Sequence, residues 1–190
     1  MTVEPSRSTI HWPPPLPGRV RWAWLLDLRS RAWRIRPLLR LLEGRVPEGA
    51  FVIDVGSGPG YISAHLSNRV GIRSVRWILI DPQRGMFRRT PRKRKGTSFE
   101  PDRLVGDGVD LPIDSGSADL VLSLGVLCCM ADSAVSRGVA EIARILRPGG
   151  LLLLGVPRRR GSGDEALLQS AGLQALVRLQ PGRGLFQKGH

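Results

Sequence analysis

Cysteine, lysine, tyrosine and long apolar runs are all scarce in this 190-residue chain, and each scarcity excludes something. The two cysteines, Cys128 and Cys129, are neighbours, so they cannot staple distant parts of a fold and imply no oxidising compartment. Small buried hydrophobes or reactive thiols are the roles open to them. No apolar run approaches the roughly 18 to 20 residues of a membrane span, and the proline-rich start, Pro13 to Pro17, does not resemble a secretory signal. A soluble, cytoplasmic protein with no stable membrane insertion is expected. No grouping of His, Cys and carboxylates has metal-site spacing, so no metal is expected.

Arginine, by contrast, is abundant. Of 29 basic residues only Lys93, Lys95 and Lys188 are lysine, and the net charge is +13. An acidic partner such as RNA is one explanation, and a compositional bias of the genome is another. Residues 84 to 95 hold Arg84, Arg88, Arg89, Arg92, Lys93, Arg94 and Lys95 without one acid. That segment reads either as a phosphate contact or as a solvated helix end and loop around Pro91. Arg158-Arg159-Arg160 is a shorter cluster with the same two readings.

The first 37 residues form a separate compositional zone. Trp12, Trp22, Trp24 and Trp33 alternate with Arg19, Arg21, Arg29, Arg31, Arg34 and Arg36. Residues 1–37 read as an arm or lid that stacks an aromatic substrate or a nucleic-acid base while arginines hold an anion, or as helix packed over the core with exposed arginines. Interfacial membrane binding is a third option. Residues 38–190, in a chain of 42% hydrophobic content, suffice for one core and one domain.

The most informative run is Phe51-Val52-Ile53-Asp54-Val55-Gly56-Ser57-Gly58-Pro59-Gly60. Four apolar residues in five give a buried parallel strand, and three alternating glycines let the backbone turn sharply into the next helix. A dinucleotide fingerprint would need glycine at position 61, which is Tyr61, and Pro59 removes a backbone N–H that a pyrophosphate would use. No Lys-Ser or Lys-Thr pair follows, which excludes a P-loop. A phosphate-free adenosine ligand fits better.

Strands and helices then alternate. Ile62, Leu66 and Val70 share a helical face that ends near Gly71, and Val75 to Ile80 is apolar strand. Arg103 to Val105 and Leu120 to Val126 are further strands, Ala134 to Arg147 is a helix stopped by Pro148-Gly149-Gly150, and Leu151 to Val156 is a strand buried on both faces. In that helix Arg144 and Arg147 lie near the negative end of the dipole. Glu165 to Ala171 reads as a short helix. Leu173 to Leu179 and Gly184 to Lys188 read as closing strands joined by a turn.

Such alternation predicts an α/β sheet with ligands beyond the carboxyl ends of its strands. Asp81 follows the second strand, where a carboxylate can accept hydrogen bonds from both ribose hydroxyls; Asp107 follows the third and suits an adenine amino group. Either acid could also be a loop or cap residue.

From about Leu38 onwards these residues resemble the class I S-adenosylmethionine-dependent methyltransferases, particularly the branch of ubiquinone-biosynthesis-type and small-molecule enzymes. Asp54 to Gly60 is similar to the family's cofactor loop, and Asp81-Pro82-Gln83-Arg84-Gly85-Met86 to its ribose-binding acid followed by a methionine near the adenine. Gly106-Asp107-Gly108, Asp110-Leu111-Pro112 and Gly116 to Val121 resemble the adenine-contacting stretch running into strand four. Glu141 to Gly150 resembles the signature before strand five.

The resemblance implies a Rossmann-like, doubly wound seven-stranded sheet, mostly parallel with the last strand antiparallel, and helices on both faces. It implies in-line transfer of a methyl group from S-adenosyl-L-methionine to an acceptor, with S-adenosyl-L-homocysteine as product. Carried over position by position, Asp54, Gly56, Ser57 and Gly58 surround the methionine moiety, Asp81 with Pro82 the ribose, Met86, Asp107 and Gly108 the adenine, and Ser123 the amino-acid end. A small-molecule acceptor is the first expectation. RNA or protein as acceptor, through the basic segments, is the alternative, and a non-catalytic module that binds the cofactor or a partner is a third.

No catalytic base is assigned. Where many relatives carry histidines after strand four, this chain has Leu127-Cys128-Cys129-Met130. Leu124 to Leu127 is not the Asn- or Asp-Pro-Pro-Tyr type motif of base methylation. His65 on the first helix is structural or a base, and Asp132 lies at the pocket edge or caps a helix. His11 belongs to the arm.

Overall fold

The computed structural model describes residues 36–69, 75–90, 99–155, 163–180 and 183–190. The expectations for the Trp- and Arg-rich residues 1–35, for Val70, for Arg92 to Lys95, for Arg158 to Arg160 and for the Pro181-Gly182 turn lie outside these residues. Residues 36–40 are helical. There follow β1 (Phe51–Val55), α1 (Tyr61–Arg69), β2 (Arg76–Ile80), a 3-10 turn (Arg84–Arg89), β3 (Asp102–Leu104), β4 (Ala118–Leu124), and a short 3-10 turn (Leu127–Cys129). The chain closes with α2 (Asp132–Ile145), β5 (Leu146–Gly155), α3 (Gly163–Ser170), β6 (Leu173–Gln180) and β7 (Arg183–Lys188).

The strands form one seven-stranded sheet in the order β3-β2-β1-β4-β5-β7-β6. All pairings from β3 to β5 are parallel, whereas β7 is antiparallel to both β5 and β6. The last strand is thus the one antiparallel member, wedged between its two predecessors.

Alternation along the strands divides the core into two layers. Ile53, Val55, Ile78, Ile80, Val121, Leu152 and Leu154 face Val135, Val139 and Ile142 of α2 and Leu168 of α3. Val52, Trp77, Leu79, Leu120, Leu122 and Leu153 face Ala64 and Leu66 of α1 and Leu38 and Leu42 of the leading segment. Helices therefore cover both faces. Full burial of each such side chain stabilises the fold by about 1.5–3 kcal/mol. Trp77 adds an edge-on contact with Phe99, ring centres 5.6 Å apart.

Several element boundaries differ from the sequence reading, each for a local reason. β4 stops at Leu124 and not Val126, because Gly125 takes φ +87° and its N–H turns across to the Gly155 carbonyl at 2.7 Å. α2 ends at Ile145, ahead of Pro148-Gly149-Gly150, and Leu146 is already extended. The Pro-Gly-Gly run does not terminate the helix; it forms the irregular start of β5, where the register against β4 slips between Ala118 and Leu120. Arg147 is consequently a strand residue that pairs with Asp119 at 2.5 Å, not a helix-end cation. Asp132 is the first residue of α2, following an Ala131 N-cap that makes no side-chain capping bond. Among the described residues no helix is long and apolar enough to cross a membrane.

Candidate cofactor site

The turn from β1 into α1 is built by backbone donors and one acid. Gly56, Gly58 and Gly60 have φ of +67°, +54° and +76°, a region that side chains disfavour. The N–H groups of Gly56 and Ser57 both donate to the Ile80 carbonyl, at 2.8 and 3.1 Å, which latches the turn onto the end of β2. Gly58 N–H donates to Asp81 Oδ2 at 2.9 Å, and Gln83 N–H to Asp81 Oδ1 at 2.8 Å. Asp81 is fully buried, and burial raises its pKa against the lowering pull of those two N–H bonds.

Crowding differs sharply within the turn. A Cβ on Gly56 would lie 2.2 Å from Val126 Cγ2, and one on Gly60 2.5 Å from Leu79 Cδ1. A Cβ on Gly58 would meet nothing within 4 Å. The open face of the turn is therefore at Gly58.

Asp54, the acid within β1, is buried and accepts a 2.5 Å hydrogen bond from the Ser63 hydroxyl on α1. Burial pushes its pKa up to about 7; the Ser63 bond opposes the rise and the charge of Asp81 adds to it. Ser63 escaped the sequence reading. Its placement nine residues after Asp54, in the first turn of the following helix, is the signal that would have found it.

On the far side, Asp81 N–H donates to the Leu104 carbonyl at 3.3 Å, so the end of β3 is tied to the same acid. Asp107 is half-buried and accepts the Val109 N–H at 3.3 Å. Gly108 is buried under Met130, whose Cε would sit 2.5 Å from a Cβ there. Pro82 and Met86 are half-buried at the entry and within the 3-10 turn after Asp81. Ser123 ends the buried part of β4; its hydroxyl is buried with no hydrogen-bond partner, an orphan that a ligand group would satisfy.

The structure thus ties Asp54, Gly56, Ser57, Gly58 and Asp81 together at one sheet edge. Asp107 and Gly108 follow β3 alongside. Cys128 and Cys129 stand on the short turn beyond β4, half-buried with sulfurs 3.7 Å apart, and Cys129 Sγ donates to the Gly125 carbonyl at 3.3 Å. His65 lies half-buried on α1.

Glu141 and Arg144 of α2 fix the loop at residues 111–115, a contact that their sequence positions did not indicate. Arg144 clasps Glu141 through two nitrogens, at 2.7 and 2.9 Å, and donates to the carbonyls of Ile113 and Leu111 at 2.8 and 2.9 Å. Glu141 in turn accepts the Leu111 N–H at 2.8 Å, and the guanidinium beside it holds its carboxyl below the usual range. Arg144 lies in the last turn of α2, as expected, and from there also clamps the 111–113 loop.

Comparison with known proteins places this architecture. Residues 52–150 match the profile described as "Methyltransferase domain". An uncharacterized 37.1 kDa protein of a Streptomyces fradiae transposon is 36% identical over 63% of this chain and 33% of its own length. The demethylmenaquinone methyltransferase of Beutenbergia cavernae is 32% identical over 66% of this chain and 47% of its own. The chain thus spans about a third to a half of the length of these curated relatives. A TehB-like SAM-dependent methyltransferase from Corynebacterium glutamicum superposes with TM-score 0.65 at 22% identity, covering 90% of this chain and 97% of that one, which shows a shared fold. With half of its length matched, and its glycine turn and strand-end acids in the family's order, the chain belongs to the class I S-adenosylmethionine-dependent methyltransferase family.

Proposed function

We propose that this chain binds S-adenosyl-L-methionine at the β1–α1 turn and transfers its methyl group to a small-molecule acceptor. The observation that carries the reading is the Asp81–Gly58 pair: a buried carboxylate at the end of β2 bonded to the one turn glycine that faces open space. The chain's residues suit that ligand. A fully buried, unpartnered Ser123 hydroxyl and a half-buried Asp107 flank the same edge.

Bound there, the cofactor supplies an activated sulfonium methyl group. The chain's own work is then to hold, align and exclude water. Asp54, Gly56, Ser57 and Gly58 take the methionine portion, Asp81 and Pro82 the ribose, Met86, Asp107 and Gly108 the adenine, and Ser123 the amino-acid end. Gly56 has no room for a side chain, which keeps backbone rather than a side chain at the ligand. A small-molecule acceptor is supported by the demethylmenaquinone methyltransferase among the relatives. Residues 38–190 are taken as the methyltransferase domain, since Leu38, Leu39 and Leu42 already belong to its core, and residues 1–37 as its arm.

Calorimetry with S-adenosylmethionine and S-adenosylhomocysteine tests the site: both are expected to bind, and Asp81→Ala to abolish binding. Labelled cofactor offered to metabolites, tRNA and cell protein tests the acceptor. Label confined to RNA or protein overturns the small-molecule reading, and no binding of either ligand overturns the whole.

A further inference from the structure

We infer that the groove beside β3, at the rim of the sheet, docks the phosphate backbone of a single-stranded nucleic acid. The groove encloses about 710 Å³ and is lined by Arg84, Gly85, Phe87, Arg88, Arg103 and Val105. None of the residues assigned to the cofactor lines it. It is lined chiefly by the 3-10 turn that follows Asp81, through Arg84, Gly85, Phe87 and Arg88, and the inference goes beyond the proposed methyl transfer and does not depend on it.

Three of the six lining residues are arginines and none is an acid. Elsewhere Arg76, Arg144, Arg147 and Arg178 each meet a carboxylate within 4 Å. Arg84 and Arg88 are exposed and form no ion pair among the described residues, and Arg103 makes only a 3.3 Å bond from Nε to the Thr90 hydroxyl. Three guanidinium groups gathered around one groove repel one another, and among the described residues none of them forms an ion pair. A bound anion relieves both, and phosphate matches the planar fork of a guanidinium in two-point contact.

The groove's uncharged part favours a nucleic acid over an acidic peptide. Val105 is 55% exposed, a large apolar side chain left in water, and Phe87 is half-buried beside it. A peptide carboxylate would engage the arginines and leave this surface wet. A nucleotide chain lays phosphates on the cations and stacks a base on the apolar floor, which is how sequence-tolerant single-strand sites work. The net charge of +13 adds a field that draws a polyanion to the protein.

Fluorescence anisotropy of the full chain with a roughly 12-nucleotide uridine RNA, from about 50 to about 200 mM salt, tests the inference. The expected result is salt-dependent binding that the double variant Arg84→Gln/Arg88→Gln weakens at least about tenfold. Its log–log salt slope should fall by about 1.4, at about 0.7 per lost phosphate contact on a single strand. A control pair, Arg40→Gln/Arg45→Gln, removes two exposed charges elsewhere and should change affinity by no more than about twofold. Equal weakening by both pairs overturns the groove in favour of diffuse attraction, as does an unaltered affinity in the first. Competition by polyglutamate as effective as by RNA of matched charge overturns the nucleic-acid assignment. If the double variant melts early, Arg103→Gln reads the same groove. Calorimetry with S-adenosylmethionine keeps the two proposals apart: its failure in the unaltered protein would remove the methyl-transfer reading and leave the RNA result standing.

Discussion

The Asp81 carboxylate holds Gly58 N–H with one oxygen and Gln83 N–H with the other, so a single buried acid joins the glycine turn to the end of β2. Asp81→Asn tests that joint. An amide has only one acceptor oxygen, and its NH₂ would face a backbone donor, leaving one buried N–H unpaired. Stability is expected to drop by about 1–3 kcal/mol in denaturant unfolding, with cofactor affinity lost alongside. An unchanged unfolding midpoint would remove Asp81 from this role.

Asp54 predicts a pH dependence. Its folded pKa, about 7, lies above the 3.8 of the unfolded chain, so the folded state holds the proton more tightly. Its stabilising contribution is complete below about pH 4 and is lost as the pH rises through 7. Stability should therefore decline from pH 5 to pH 8. Asp54→Asn, neutral throughout, should flatten that decline and unfold later than the parent at pH 8, by on the order of 2 kcal/mol. Parallel profiles for the two proteins would show that Asp54 ionises normally.

Gly56 and Gly58 separate fold from ligand. Both have positive φ, yet a Cβ at Gly56 would collide with Val126 and one at Gly58 would stand in open space. Gly56→Ala should cost about 2–4 kcal/mol, combining backbone strain with overpacking. Gly58→Ala should cost only about 1 kcal/mol while still blocking S-adenosylmethionine, because its methyl group would occupy the approach. Thermal melts and calorimetry on the pair distinguish these outcomes; tight binding by Gly58→Ala would disprove the close approach.

Arg144 is expected to matter more than a half-buried arginine near a helix end would suggest. Arg144→Ala breaks the clasp on Glu141 and two carbonyl bonds of the 111–113 loop, for about 2 kcal/mol. Glu141 has a lowered folded pKa, so its contribution is present above the unfolded value of 4.5 and fades as the pH falls through the lower folded one. The acid limb of the stability profile should shrink in Arg144→Ala. A retained limb would assign it to other carboxylates.

Local pattern made the central parallel strands legible: short apolar runs, each closed by an acid or glycine, suit strands covered on both faces. The glycine turn and Asp81 were readable for the same reason, since spacing along the chain fixes their place at the strand ends. What could not be read depended on contacts between distant segments. The reach of Arg144 to the 111–113 carbonyls and the lid of Val126 over Gly56 join residues that no periodicity links. The early end of α2 was hidden because Leu146 fits a helical face as well as a strand, and pairing with Ala118 decides between them.

The wedging of β7 between β5 and β6 bears on how the chain is made. A ribosome delivers β5 long before β7, so the Leu151 to Leu154 edge waits unpaired, an open template for wrong neighbours. β6 reaches the sheet only through β7, so the pairing of β5 must wait for the antiparallel β6–β7 pair. Lys188 then bonds the Leu146 carbonyl at 2.7 Å and Gln187 the Gly149 carbonyl at 3.0 Å, so the final insertion also sets the bulged entrance of β5. A chain stopped short of residue 183 would therefore leave β5 as an unpaired edge, with its Leu151 to Leu154 backbone open to wrong neighbours.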